Sequence, residues 1–311
     1  MEFVIGGLAA VSAACFTNPL EVVKTRLQLQ GELRAKGHYT VHYRNFFHAF
    51  YIIGKTDGLL ALQKGLVPSL IHQVLLNGTR LGIYQFAEER KWHLKDNGDV
   101  SLANTIAIAS TAGAIGAYTG SPLYLVKVHL QSKSNASIAV GHQHTHEGTI
   151  HALRSIYKQG GVIGMWRGAG GSVPRLAVGS ASQLGGYYVC KEFLEESQLL
   201  SSEKSLLNTT MASFMGGLAA GIFMTPFDVI STRLYNQGVD AQGRGLLYSS
   251  YLDCVRKVLA KEGFLGLYKG FVPCFARIGP HTVLCLVFWD LLKDAQKAIM
   301  EKFQSLEVDS V

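Results

Sequence analysis

With 48% hydrophobic residues, 16% charged residues and a mean hydropathy of +0.18, this 311-residue chain is too apolar for a set of free-standing soluble domains. Its 34 glycines suit membrane helices, where glycine is more frequent than in soluble ones. The net charge of +7 comes from Lys and Arg between the apolar stretches, without an aromatic platform or zinc-finger spacing, so a nucleic-acid partner is excluded and an anionic bilayer surface is expected.

The first apolar stretch, 3–28, runs directly into P-L-E-V-V-K from Pro19, so it reads as a helix and not as a cleavable targeting segment. A polar loop follows. Its His48-Ala49 marks a short surface helix, and it closes on D-G-L-L-A-L-Q-K-G at 57–65 before a second apolar stretch at 67–90. The pattern then starts again. Stretch 102–131 holds P-L-Y-L-V-K from Pro122, G-G-V-I-G-M-W-R-G occupies 160–168, and 171–194 is apolar. A third round has 207–235 with P-F-D-V-I-S from Pro226, E-G-F-L-G-L-Y-K-G at 262–270, and 273–297.

Self-similarity at a period of roughly 100 residues makes the chain one unit built three times. The repeats fall at 1–90, 100–194 and 205–297, with a flexible tail over 298–311. Each apolar stretch is long enough to cross a bilayer with some tilt. The expected fold class is an all-α membrane protein: six transmembrane helices in threefold pseudo-symmetry, both termini on one side, and a short helix in each intra-repeat loop. Pro19, Pro122 and Pro226 each remove a helical hydrogen bond and bend three helices at equal depth. The V-V-K-T-R-L and V-I-S-T-R-L runs argue that the helices continue past them. Small residues at helical spacing (Gly113 and Ala117, Gly217 and Gly221, Gly78 and Gly82) are expected at close helix contacts. The five cysteines, Cys15, Cys190, Cys254, Cys274 and Cys285, are odd in number and lack C-x-x-C spacing, so they read as reduced and packed.

The three proline motifs, each followed by a Gly and Lys/Arg-Gly element with an aromatic residue before the base in the second and third, resemble the mitochondrial carrier family, solute carrier family 25, over essentially residues 1–300. Within it the chain looks closest to the oxaloacetate carrier-like branch. The resemblance implies a monomer of the inner mitochondrial membrane that works by alternating access on small anions. Its termini would face the intermembrane space, with lipid, cardiolipin included, at the matrix-side helix ends. It implies no cofactor, no metal and no enzyme activity.

The resemblance also implies gates. On the matrix side the acid of one proline motif meets the base of the next: Glu21 with Lys127, Asp228 with Lys24, and Tyr124 with Ser231. The departures from the charged pattern fall on one pair, Tyr124 and Ser231. Losing both partners avoids a stranded buried charge and leaves two groups expected to hydrogen-bond. Gln63 is expected to brace the gate, with Trp166 and Tyr268 in equivalent places. On the cytosolic side Gln85 is expected to meet Lys191, Tyr188 to meet Lys293, and Asp290 to meet Glu88, the last a like-charge contact.

Seven residues after the last glycine of each loop element stand His72, Arg175 and Arg277, the family's substrate contact points. An arginine inside a membrane costs about 2.5–3.5 kcal/mol on insertion scales and needs a partner. No Asp or Glu occurs in 66–87, 171–191 or 271–289, and Glu21 and Asp228 are already assigned to the gate. Arg80 adds a cation roughly 12 Å from His72 at helical rise. An anionic substrate is the natural counter-charge, because guanidinium binds carboxylate or sulfate bidentately. His72 is either a neutral core residue or a pH-sensitive ligand. Leu176, next to Arg175, fits neither a nucleotide carrier nor an amino-acid carrier. Gln183, Asn77, Gln73 and His281 are candidate polar cavity residues.

A small dicarboxylate, oxoacid or sulfur oxoanion fits best, exchanged by antiport. The alternatives are a transport-inactive adaptor of the carrier fold, and a carrier for another small anion or a nucleobase or proton uniporter. His142, His144 and His146 alternate in a polar loop that is expected to be solvated rather than metal-binding. Two matrix ion pairs against no intact cytosolic one favour the cytosol-open state. Glu88→Lys is therefore expected to stabilise the matrix-open state by giving Asp290 a partner; an unchanged conformer balance and transport rate would remove that argument.

Overall fold

The structure is a computed structural model describing residues 2–34, 38–95, 98–196, 205–240 and 242–308. Six long helices form its frame: α1 (Glu2–Leu29), α3 (Leu66–Glu89), α4 (Leu102–Ser132), α6 (Ala169–Glu196), α7 (Ser205–Asn236) and α9 (Phe271–Val308). Three short helices join them within repeats: α2 (Phe46–Thr56), α5 (Thr149–Met165) and α8 (Tyr251–Glu262). The helices anticipated over 3–28, 67–90, 102–131, 171–194, 207–235 and 273–297 all form. The last differs, because α9 runs without a break through Val308, so most of the expected tail is helix.

Neighbours pack in ring order, α3 on α4, α4 on α6, α6 on α7, and α9 back on α1. Phe16, Val74, Tyr118, Phe214, Phe223 and Val283 are exposed, an apolar outer belt of the kind that faces lipid. Leu59–Glu89 and Thr210–Asn236 each hold a window of mean hydropathy 1.4, apolar enough to cross a membrane.

Pro19, Pro122 and Pro226 lie inside continuing helices. Each frees the carbonyl four residues before it. Gln63 does not reach the gate pair. It donates through Nε2 to Cys15 O at 3.0 Å and accepts from Asn18. Trp166 Nε1 likewise donates to Tyr118 O at 2.9 Å. Cys15 and Tyr118 are the carbonyls released by Pro19 and Pro122, so loop side chains replace the bonds that the prolines remove.

Each loop element docks on the first long helix of the next repeat: α4, α7 and α1 in turn. Gly65, Gly168 and Gly270 all have positive φ (73°, 87° and 81°). A Cβ there would meet Gln131 Cγ at 2.8 Å, Tyr235 Cδ1 at 2.7 Å and Gln28 Cγ at 2.8 Å, respectively. Gln28, Gln131 and Tyr235 occupy one repeat position, so the threefold cycle is built into three contacts that only glycine permits. Other close approaches use Gly113, Gly116, Gly120, Gly171, Gly186 and Gly216. Gly78 and Gly82 have no neighbour within 4 Å of a built Cβ, so that expected seam is not used.

Below the ring, three apolar clusters fix the short helices. Ala49 and Ile53 pack with Val22, Ala152 and Ile156 with Leu125, and Cys254 and Val258 with Ile230. Two buried ion pairs accompany them. Arg26 meets Asp57 at 2.8 Å, and Arg233 meets Glu262 at 2.5 Å; both arginines are fully buried. Burial raises the Glu262 carboxyl, but its bonds to Arg233 and Lys269 outweigh that and hold it below the usual range. Repeat two has His129 and Gly160 at these positions, so acid and base are lost together. Arg26→Met should lower stability by about 3–5 kcal/mol by stranding Asp57. The double variant Arg26→His, Asp57→Gly should recover part of that loss. The thermal unfolding midpoint of purified protein measures both, and no recovery in the double variant would show that the residues do not act as a pair.

Candidate functional site

At the short-helix end, two carboxylates join the ring. Glu21 Oε2 pairs with Lys127, tying α1 to α4. Asp228 Oδ2 lies 2.6 Å from Lys24 Nζ, tying α7 to α1, and also accepts from Gln28 Nε2 at 2.7 Å. The cavity arginines are not left without acids, as the sequence suggested. Arg277 Nη1 stands 3.2 Å from Glu21 Oε1, and Arg175 Nη1 stands 3.5 Å from Asp228 Oδ1. The expectation gave each acid one partner, whereas an ionised carboxylate has two oxygens and room for two cations. Lys24, Lys127, Arg175 and Arg277 carry four positive charges, and Glu21 and Asp228 carry two negative, so the cluster nets +2.

All of these except Asp228 line a cavity of about 210 Å³ together with Tyr124 and Gln183. The Nε–H groups of Arg175 and Arg277 are buried and unbonded among the described residues, which leaves donors for a ligand. Gln183 also lines an outer cavity of about 540 Å³ with Asn77, Arg80, Tyr84, Ser180 and Tyr187. Arg80 therefore stands on the way in, its Cγ 3.4 Å from a Cβ built at Gly116.

Several expected site residues lie elsewhere. His72 does not line the inner cavity. It is 5% exposed, donates from Nδ1 to Gly120 O at 3.0 Å, and fills the α3–α4 interface. A Cβ at Gly120 would sit 2.6 Å from that nitrogen, so the glycine is what admits the ring. Leu176 is buried against α4, where its carbonyl lies 3.1 Å from a Cβ built at Gly113, so it forms packing and not cavity wall. His281 bridges α9 to Thr17 at 3.2 Å.

Tyr124 and Ser231 do not bond each other. Ser231 Oγ is buried without a partner among the described residues. Tyr124 presents its ring face to Arg175, 4.8 Å away, and to Lys127, 5.5 Å away. The lost acid is thus replaced by a π-face, which attracts cations without carrying charge. Tyr235, which sequence reasoning missed, takes over the polar joint. Its hydroxyl bonds Ser121 at 2.8 Å and Ser172 at 2.7 Å, linking α4, α6 and α7. The signal was a tyrosine where the other repeats carry Gln28 and Gln131.

At the opposite end the expected pairs give way to other contacts. Gln85 donates to Glu89 on its own helix at 3.2 Å, Glu88 and Asp290 are each exposed, Lys293 lies over the Trp289 ring at 4.9 Å, and Tyr188 packs on Tyr187. The ion pairs between long helices described here gather at the short-helix end. The loop 133–148 is not solvated as expected: it folds onto α4 and α7 and buries His146.

A family model described as mitochondrial carrier protein matches residues 1–93, 98–198 and 202–298. Solute carrier family 25 member 35 of Homo sapiens is 50% identical over 293 residues, 94% of this chain and 97% of its own length. The mitochondrial oxaloacetate transport protein of Saccharomyces cerevisiae is 39% identical, over 93% of this chain and 87% of its own. Mitochondrial citrate transporter E of Aspergillus niger is 36% identical, over 97% and 96%.

The Tyr124 geometry makes a direct prediction. Tyr124→Phe keeps the ring face and should leave thermal stability nearly unchanged, whereas Tyr124→Leu should cost about 1–2 kcal/mol through the buried cations it no longer faces. Equal losses in the two variants would instead assign the effect to the hydroxyl.

Proposed function

We propose, from the premise that this chain belongs to the mitochondrial carrier family, that it exchanges small dianions across the inner mitochondrial membrane by alternating access. The substrates are dicarboxylates and oxoacids of the oxaloacetate, malonate and malate type, together with sulfur oxoanions such as sulfate and thiosulfate. The family consists of transporters and not enzymes. The termini face the intermembrane space, which makes the tied end the matrix side.

One observation carries the reading: a buried cluster of six ionised side chains with a net charge of +2 around a cavity of about 210 Å³. A dianion cancels that charge. It passes Arg80 and Gln183 and then takes Arg175 and Arg277, one at each end of a dicarboxylate or both on one oxoanion. The arginine contacts to Glu21 and Asp228, at 3.2 and 3.5 Å, are the ones a ligand displaces. Each carboxylate then keeps its lysine, and Asp228 its bond from Gln28, while the α9–α1 and α6–α7 ion contacts are lost, so the matrix tie weakens as substrate binds. Parting the ties without substrate would leave the arginines with no counter-ion in a dry site, a costly state. That penalty is the physical basis for exchange in place of leak. The relatives named for oxaloacetate and citrate transport are in keeping with carboxylate cargo.

Proteoliposomes preloaded with malonate, oxaloacetate, malate, sulfate, thiosulfate, ATP or aspartate test the reading. Exchange is expected with the first five and not with the last two. Arg175→Ala and Arg277→Ala should abolish it, and Arg80→Ala should slow it less. Exchange that survives loss of either cavity arginine would refute the assignment of the site. Uptake needing no internal anion would indicate uniport, and a folded protein with no transport would indicate an adaptor.

A further inference from the structure

Repeat two differs from the other two at a buried junction that transport does not use. In repeat one Arg26 donates through Nε to Gln131 O and through Nη1 to Asp57. In repeat three Arg233 donates through Nε to Gln28 O and through Nη1 to Glu262. The corresponding residues of repeat two are His129 and Gly160. His129 keeps the first bond, with Nε2 donating to Tyr235 O at 2.8 Å, but it has no acid to reach.

Loop histidines come to it instead. His144 stacks on His129 with ring centroids 3.4 Å apart and planes 12° from parallel. His146 lies nearly parallel to both, at 5.4 and 5.6 Å. His144 donates Nε2–H to Asn236 O at 2.9 Å. In His129 and His144 the proton is therefore on Nε2 and the lone pair on Nδ1. Nδ1 of His129 and Nδ1 of His146 are buried with no hydrogen-bond partner, in residues 4% and 5% exposed. A neutral imidazole that donates from one ring nitrogen keeps the lone pair of the other for a metal. One ring nitrogen from each of the three histidines lies within 4.8 Å of the others.

We propose that His129, His144 and His146 form a site for one divalent transition-metal ion of the zinc class. Three neutral imidazoles leave a fourth position for solvent, a donor set that suits zinc. The carbonyls of Tyr235 and Asn236 hold the Nε2–H groups and so fix the tautomer, as outer partners of metal-bound histidines do. Ligands at about 2.1 Å in a tetrahedral site lie about 3.4 Å apart, so binding draws the loop inward by roughly an ångström and turns the stacked rings toward the ion. The ion ties loop 133–148 to α4 and, through the two carbonyls, to α7. That is the boundary between repeats two and three, where Tyr124 and Ser231 supply no ion pair. A bound ion adds a removable tie there, and on the carrier reading it holds the matrix side closed.

Full-length protein without a polyhistidine tag, stripped of metal, is titrated with Zn²⁺ by calorimetry and with Co²⁺ by visible absorption. One equivalent is expected, with nitrogen-ligand Co²⁺ bands and a raised unfolding midpoint. His144→Asn and His146→Asn should each weaken binding at least about tenfold and lose the thermal shift, with metal-free midpoints near the parent's. His129→Arg combined with Gly160→Asp rebuilds the ionic junction and should remove metal binding while the protein stays folded. Failure of folded parent protein to bind Zn²⁺, or unchanged affinity in both loop variants, would overturn the site. Under exchange conditions Zn²⁺ should slow the parent and not His146→Asn. Absence of exchange altogether would count against the carrier reading and leave the binding result standing.

Discussion

Two carboxylates, Glu21 and Asp228, hold this structure at its functional end. Each gives one oxygen to a lysine of a neighbouring repeat and the other to a cavity arginine. The lysines make the joint between repeats, and the arginines connect that joint to the substrate cavity. Because the same acids serve both, whatever binds the arginines alters the tie. With four cations against two anions the cluster keeps an excess of +2, which on the proposed reading a dianionic cargo would neutralise. A buried cation left alone is expensive, and here each of the four cations lies beside a carboxylate.

The ring depends as much on contacts that carry no charge. Each intra-repeat loop ends in a glycine of positive φ that seats the chain against the first long helix of the next repeat. Gln63 and Trp166 satisfy carbonyls that Pro19 and Pro122 release. These fittings let prolines sit inside helices at membrane depth, where an unsatisfied carbonyl would cost several kcal/mol.

Departures from threefold symmetry come in matched pairs. Tyr124 and Ser231 replace an acid and a base, and His129 and Gly160 replace a base and an acid. Both fall on repeat two or its boundary with repeat three. In both, aromatic rings fill the place of charge: Tyr124 beneath Arg175 and Lys127, and His144 against His129. Apart from the Arg175–Asp228 contact, the boundary between repeats two and three is thus held by rings and hydroxyls.

Much of this was legible in the sequence. The proline period gave helix number and limits, because apolar length and repeat spacing are properties of the chain itself. The resemblance to the carrier family named the pairs Glu21 with Lys127 and Asp228 with Lys24, which the structure forms, and the repeat offset put Arg175 and Arg277 at one height. Tertiary structure alone decided how many partners each group took. His72 had the right offset but turned onto Gly120 O, since a missing Cβ on α4 left room for its ring. Leu176 turned to packing, and Arg175 and Arg277 shared acids already counted as spent. The loop histidines looked solvated because their partner, His129, lies in a different element, and only the folded chain brings a missing arginine and a missing acid to one place. Offset along a helix fixes where a side chain begins; which of two oxygens or two neighbours it reaches depends on the free volume around it, and that is set by residues from other helices.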